Sequence, residues 1–200
     1  GTYGGIGYAT LAADGNSCTK QTIDAPILAH GTGTDWDNAY VGTPFLRKEG
    51  STYYLSYYGR QASYPYSIGY ATASAIGGAY IKYGSNPILS KSVSGWDSYW
   101  IGLHVIFKYG STYVMIYEGN SVAGIIGAQM GIATSPDYNT WAKYSGNPVF
   151  IIDGYSTSAK SMPGLLIEGS DYYLYFNNDP GYYQCVHHTK VTDWLDRVCL

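Results

Sequence analysis

Apolar and polar residues alternate with a period of two in three stretches of this chain. Tyr53, Leu55 and Tyr57 share one face, as do Tyr113, Met115 and Tyr117, and Tyr172, Leu174 and Phe176. Such alternation predicts strands with one face turned to a core between stacked sheets. A short apolar run precedes each: Pro44 to Leu46, His104 to Phe107, and Pro163 to Leu166. The turn between run and strand holds Gly50, Gly110 or Gly169, where glycine accepts a positive φ. A small-residue segment follows, opened by Ile68 or Met130 and matched near the N-terminus by Ile6. Its Gly-x-Ala spacing predicts a third strand that permits close packing of neighbouring sheets. A fourth strand carries Tyr80 or Trp141 and closes at Asn86-Pro87 or Asn147-Pro148. In the last unit Asp193 to Leu200 takes that place. Asp14 and Asp137 suit the tight reversals between third and fourth strands. No stretch reads as a helix.

These elements recur in register. Trp36, Trp96 and Tyr155 are about 60 residues apart, and so are Tyr53, Tyr113 and Tyr172. Repeats of this length, made of short strands, predict an all-β fold: a β-propeller of four-stranded antiparallel blades. Residues 1–30 supply half a blade, and 31–92, 93–152 and 153–200 supply one blade each, three and a half in a single domain. A ring of four or five blades needs more strands. Open edges are a liability, so further chain, another subunit or an atypical closure is expected to cover them.

Composition narrows the class. Charged residues are 12% and the net charge is -3, which leaves nothing to attract nucleic acid or an anionic membrane. Aromatics at 16%, with 24 Tyr and 26 Gly, suit exposed strands and tight turns rather than disorder. No apolar run reaches the length of a membrane span, so no membrane insertion is expected. The start at Gly1, inside a repeat, fits a mature or trimmed product. Few lysines among many Tyr, Ser, Thr and Gly suggest an extracellular or cell-surface protein. Cys185 and Cys199 fall on neighbouring predicted strands and could pair, leaving Cys18 free; three unpaired thiols are the equal alternative.

The phrases Thr52-Tyr53-Tyr54-Leu55, Ile68-Gly69-Tyr70-Ala71-Thr72 and Asn147-Pro148-Val149 recur together, in order, across the units. In this the chain resembles five-bladed β-propeller glycoside hydrolases, closest to family 43 arabinanases and xylosidases and the related fructan hydrolases. Ser135 to Trp141 is similar to a shortened Asp-box of sialidase-type propellers. The resemblance implies carboxylates beside the proline of the innermost strands, one a base or nucleophile and another a proton donor, at fixed separation. Thr43, Leu103 and Met162 stand just before that position here, and Gly42, Gly102 and Ser161 one earlier. None is acidic, so no catalytic residue is assigned.

Of the three glutamates, Glu49 and Glu168 lie in turns and are expected to be solvated, while Glu118 ends a strand at a rim-facing position. Asp35, Asp37, Asp97 and Asp153 precede innermost strands and read first as turn formers. The segments leading into those strands combine aromatics with polar groups, which suits sugars: C–H faces stack on rings while hydroxyls take directed hydrogen bonds. The candidate substrate-binding residues are Asp37, Asp97, Tyr99, Trp100, His104, Glu118 and Lys160. Trp36, Trp96 and Tyr155 recur strictly and read as packing groups. No cofactor is called for, and no residue set has metal-ligand spacing. The expected partner is a poly- or oligosaccharide, with self-association through open blade edges. The expected role is glycan handling; a non-catalytic adhesin or structural subunit of a surface assembly is the alternative.

Overall fold

The computed structural model describes residues 4–21, 25–62, 65–123, 127–149, 159–179 and 185–199. Among the described residues the chain is all-β apart from one short helix, and it divides into two compact units, Gly1–Ile88 and Leu89–Leu200.

In the first unit β1 (Gly5–Ile6) pairs with β4 (Leu28–Ala29), and β2 (Ala9–Leu11) with β3 (Cys18–Lys20). These four are the half blade. A full blade follows: β5 (Tyr40–Glu49), β6 (Thr52–Arg60), β7 (Tyr66–Ala73) and β8 (Ile81–Lys82), antiparallel in that order. The alternating residues do what their period dictates. Leu55 and Tyr57 enter a core with Ile6, Ile27, Leu28, Val41, Ala71 and Tyr80, and Tyr53 packs at its margin.

The second unit opens with β9 (Trp100–Tyr109), β10 (Thr112–Asn120), β11 (Gln129–Ser135) and β12 (Ala142–Lys143), the same antiparallel order. Both faces of β10 are buried here, since Val114 and Ile116 are as inaccessible as Met115 and Tyr117. The third sheet is β13 (Ala159–Glu168), β14 (Asp171–Asp179) and β15 (Cys185–Lys190). It packs on the blade before it: β13 lies against β9, β10 and β11, and Phe107 meets Tyr172 with ring centroids 5.3 Å apart.

Two expectations are corrected, and the open alternative over the cysteines is decided. The last segment is a helix, α1 (Thr192–Val198), not a fourth strand. Val191 and Leu195 are buried one turn apart and joined by Leu195 N–H donating to the Val191 carbonyl at 2.9 Å. An i, i+4 apolar pair of that kind serves a helix. Cys199 therefore caps a helix rather than lying on a strand, and it is a free thiol, as is the exposed Cys18. A Cys185–Cys199 disulfide is absent. Innermost strands are also longer than the apolar runs implied, at ten residues, and each is interrupted by an irregularity. The register shifts between Gly42 and Phe45, between Ser161 and Gly164, and opposite Tyr117 to Gly119 in the middle blade. Thr43, at the first of these, has φ +43°, a conformation foreign to β-branched residues.

The reversals are as expected. Asp14 accepts the Asn16 N–H at 3.0 Å. Asp137 accepts from Thr140 N–H at 2.8 Å, Asn139 N–H at 2.9 Å and the Ser135 hydroxyl at 3.1 Å. Those donors hold its carboxyl below the usual range.

Candidate functional site

Two of the candidates belong to a structural device that occurs twice. The Trp36 ring stacks on Tyr57 (centroids 5.6 Å) and lies where a Cβ on Gly69 or Gly59 would stand, 2.6 Å and 3.0 Å from ring atoms. Only glycine at both positions leaves room for it. Asp37, 1% exposed, accepts the Tyr57 hydroxyl at 3.0 Å and pairs with Lys82 at 2.7 Å. The Asn86 amide then brackets Tyr70, accepting its N–H at 3.1 Å and donating to its carbonyl at 2.8 Å. The next blade repeats every part. Trp96 packs on Tyr117 at 5.5 Å over Gly119 and Gly131. Asp97, also 1% exposed, takes the Tyr117 hydroxyl at 3.1 Å and Lys143 at 2.6 Å. Asn147 brackets Ile132 at 2.9 and 2.8 Å. Asp37 and Asp97 are thus committed to internal partners, and the two tryptophans are packing groups. The tyrosine, lysine and asparagine members are not among the candidates drawn from the sequence, although the tyrosine recurs at the same spacing in both copies and the lysine and asparagine within one residue of it.

Four of the other candidates, Tyr99, Trp100, His104 and Glu118, lie at one end of the β9–β10 pair, on both of its faces. Trp100 is the register partner of Asn120 and His104 of Tyr117, with Glu118 between them, opposite the irregularity at Gly102 and Leu103. Along β10, Val114, Ile116, Glu118 and Asn120 alternate onto one face, and Trp100, Val105 and Phe107 join it through their partners. His104 lies on the opposite face with Tyr117. Its exposure is 5%, and burial pulls its pKa down to about 4, against a smaller opposing effect of the Gly102 carbonyl. The ring is neutral near pH 7, and its Nδ1–H donates to Gly102 at 3.1 Å. Tyr99 is 38% exposed and Trp100 only 8%. Lys160 stands on β13 as partner of Asn178; its side chain lies outside the described residues, and so does Asp153.

Glu118 is the unusual group. Expected at the rim, it is instead 3% exposed. Among the described residues no ion pair or side-chain hydrogen bond holds its carboxyl, and burial alone pushes its pKa up to about 8. At pH 7 it is mostly protonated, a hydrogen-bond donor in an apolar wall. Its counterparts are Tyr58 and Asn177. Tyr58 belongs to an aromatic group: it stacks on Tyr40 at 5.7 Å and meets Tyr66 edge-on at 4.7 Å, with the Arg60 guanidinium 5.4 Å above Tyr66. Glu49 is bonded to Arg47 at 2.7 Å, and Glu168 is exposed.

No protein-family model matches the chain. It is 24% identical, over 78% of its length, to two uncharacterized proteins of Mycobacterium tuberculosis, strains CDC 1551 / Oshkosh and ATCC 25618 / H37Rv. The match takes in 54% of each of them, so the chain spans about half the length of the curated relatives it matches. Among solved structures, a complex of BT0996 with RGII superposes with a TM-score of 0.72 at 20% identity, over 90% of this chain and 60% of that one. A glycoside hydrolase superposes with 0.70 at 20% identity, over 88% and 61%. The β-1,2-mannobiose phosphorylase from Listeria innocua, bound to β-1,2-mannobiose, gives 0.67 at 15% identity over 97% and 54%. These likenesses fix the fold: the chain has the all-β propeller architecture of four-stranded antiparallel blades that glycoside hydrolases use.

Proposed function

We propose that this chain is part of an extracellular or cell-surface carbohydrate-handling propeller that binds a glycan at the strand end of the second blade that holds Tyr99, Trp100 and Glu118. The observation that carries the reading is Glu118, a carboxyl that is buried and has no partner among the described residues. Leaving such a group in place costs stability, and binding sites are where that cost is commonly borne. A protonated carboxyl donates to a sugar oxygen, while the half-exposed Tyr99 ring offers a face to sugar C–H groups. The likeness to glycoside hydrolase folds supports sugar as the ligand class, as fold analogy only. Titration calorimetry against an oligosaccharide panel tests it. At least one sugar binds, and Tyr99→Ala and Glu118→Ala each weaken it about tenfold (~1.4 kcal/mol) without loss of the fold. No binding across the panel, or two variants that bind as the parent does, overturns the reading.

A second reading has its own support. Thr43, Leu103 and Met162 occupy the positions beside the irregularity of each innermost strand, where the resemblance implies acids. That favours a non-catalytic adhesin or structural subunit over a hydrolase. Incubation of the bound sugar with the protein, followed by product analysis, separates the two. A non-catalytic subunit leaves the sugar intact.

A further inference from the structure

Within each unit one sheet packs on the next, and in both units the contact has the same direction. Each sheet has a front, the face of the alternating strand residues Leu55, Met115 or Leu174, and a back, the face of Tyr54, Val114 or Tyr173. In the first unit Ile6 and Leu28 of the half blade enter one core with Leu55, Tyr57 and Ala71 of the blade that follows. Ile6 matches Met130, the register partner of Glu118, and so lies on the back of its sheet. In the second unit Phe107, which pairs with Val114 on the back of β9–β10, meets Tyr172 on the front of β14. The earlier sheet offers its back and the later one receives it on its front, twice over.

One back and one front of this kind are exposed. The back of the third sheet carries Tyr173, its register partner Leu166, and Tyr175. Leu166 is 47% exposed and the two tyrosines are half-buried. The same positions of the second blade hold Phe107, Val114 and Ile116, all fully buried. The front of the half blade carries Gly7, Ala9 and Leu11, all exposed. They match Gly69, Ala71 and Ala73, of which Gly69 and Ala71 are buried. Single surface leucines are ordinary. Leu166 and Leu11 differ in standing on the faces that the repeat covers wherever a neighbouring sheet is present.

We propose that these two faces form an interface between copies of this chain: the half blade of one copy seats its front on the back of the third sheet of another. Such a contact continues the blade-on-blade packing in its established direction, with the back of one sheet on the front of the next. The shapes suit it. Leu166, Tyr173 and Tyr175 are bulky, while Gly7 and Ala9 leave room for a ring or a branched side chain to approach the backbone. Leu11 supplies an apolar partner at the margin, 71% exposed in the single chain. Because the two faces differ, the interface is heterologous, and copies join head to tail. It stands apart from the glycan reading, since neither face includes Tyr99, Trp100 or Glu118.

Light scattering at rising concentration, on the parent, on Leu166→Glu, on Leu11→Glu and on an equimolar mixture of the two variants, decides the matter. Both leucines are exposed, so glutamate at either leaves circular dichroism and the melting midpoint unchanged. Each variant alone needs at least a tenfold higher concentration than the parent to associate. The mixture associates at the parent's concentration and stops at two copies. In it the Leu166→Glu copy keeps a sound half blade and the Leu11→Glu copy a sound third sheet. A parent that holds the mass of one chain throughout overturns the inference, as does a Leu166→Glu variant that associates as the parent does. A mixture no better than either variant alone overturns it too, because like faces would then be meeting.

Discussion

At the residue scale, the two buried aspartates and the buried glutamate show opposite solutions to one problem. Asp97 is 1% exposed and is answered by a lysine and a tyrosine hydroxyl. A buried pair of this kind adds little over an apolar replacement, but breaking it strands a charge. Lys143→Met is therefore expected to destabilise the protein by about 3 kcal/mol. The double variant Asp97→Asn/Lys143→Met recovers most of that loss, as read by urea unfolding; a double variant no better than the single would refute the pairing argument. Glu118 has no such answer among the described residues, and its protonation carries a stability signature. Its folded pKa of about 8 lies above the ordinary 4.5, so the folded state holds a proton the unfolded state has lost. Stability then falls as pH rises between those values. His104, with its pKa lowered to about 4, acts in the opposite sense below its ordinary 6.5, which leaves pH 6.5 to 8 as the clean window. The melting midpoint is expected to drop across that window, and Glu118→Gln to flatten the slope. An unchanged slope in Glu118→Gln would mean the carboxyl is solvated or paired.

At the element scale, most of the fold was legible because repetition averages out local ambiguity. Three copies of a Tyr-x-Leu/Met-x-aromatic strand define a face more firmly than any single propensity, and Leu55, Met115 and Leu174 are all buried on it. What escaped was wherever a copy departs from its siblings. The segment from Thr192 to Val198 reads as a strand only by analogy with Ile81–Lys82 and Ala142–Lys143. Those strands are only two residues long, and so little ladder gives a weak template. In its place the Val191 and Leu195 spacing serves a helical turn. The irregularities at Thr43 and Gly102 were invisible because a bulge is a property of two strands, not of one. The surroundings of the candidate residues were less legible. Tyr99, Trp100, His104 and Glu118 lie near one strand end, but on both faces of it. Burial, which decides that Glu118 is neutral and that Asp37 and Asp97 are committed, depends on neighbours more than ten residues away in sequence.

At the scale of the whole molecule, the half blade poses the question that the complete blades have solved. In the complete blades the third strand lies between two partners, as β7 does between β6 and β8. Its counterpart in the half blade, β1 continued by β2, is paired on one side only among the described residues. The hydrogen bonds show what the other side presents. Gln21 N–H donates to the Tyr8 carbonyl and Ala12 N–H to the Ser17 carbonyl, so residues 8, 10 and 12 turn their backbone groups toward β3. By alternation Ala9 and Leu11 turn theirs outward. Leu11 adds an apolar side chain that is 71% exposed. An edge whose outward donors meet no strand among the described residues, with an exposed leucine beside them, is a template for another strand, and the 200-residue chain is expected to self-associate through it. Light scattering over rising concentration should show a mass climbing above 21.8 kDa. Leu11→Pro deletes an outward N–H without touching the pairing to β3, so that variant should hold the mass of a single chain. A parent that stays at that mass, or a proline variant that associates equally, would assign the edge no part in assembly.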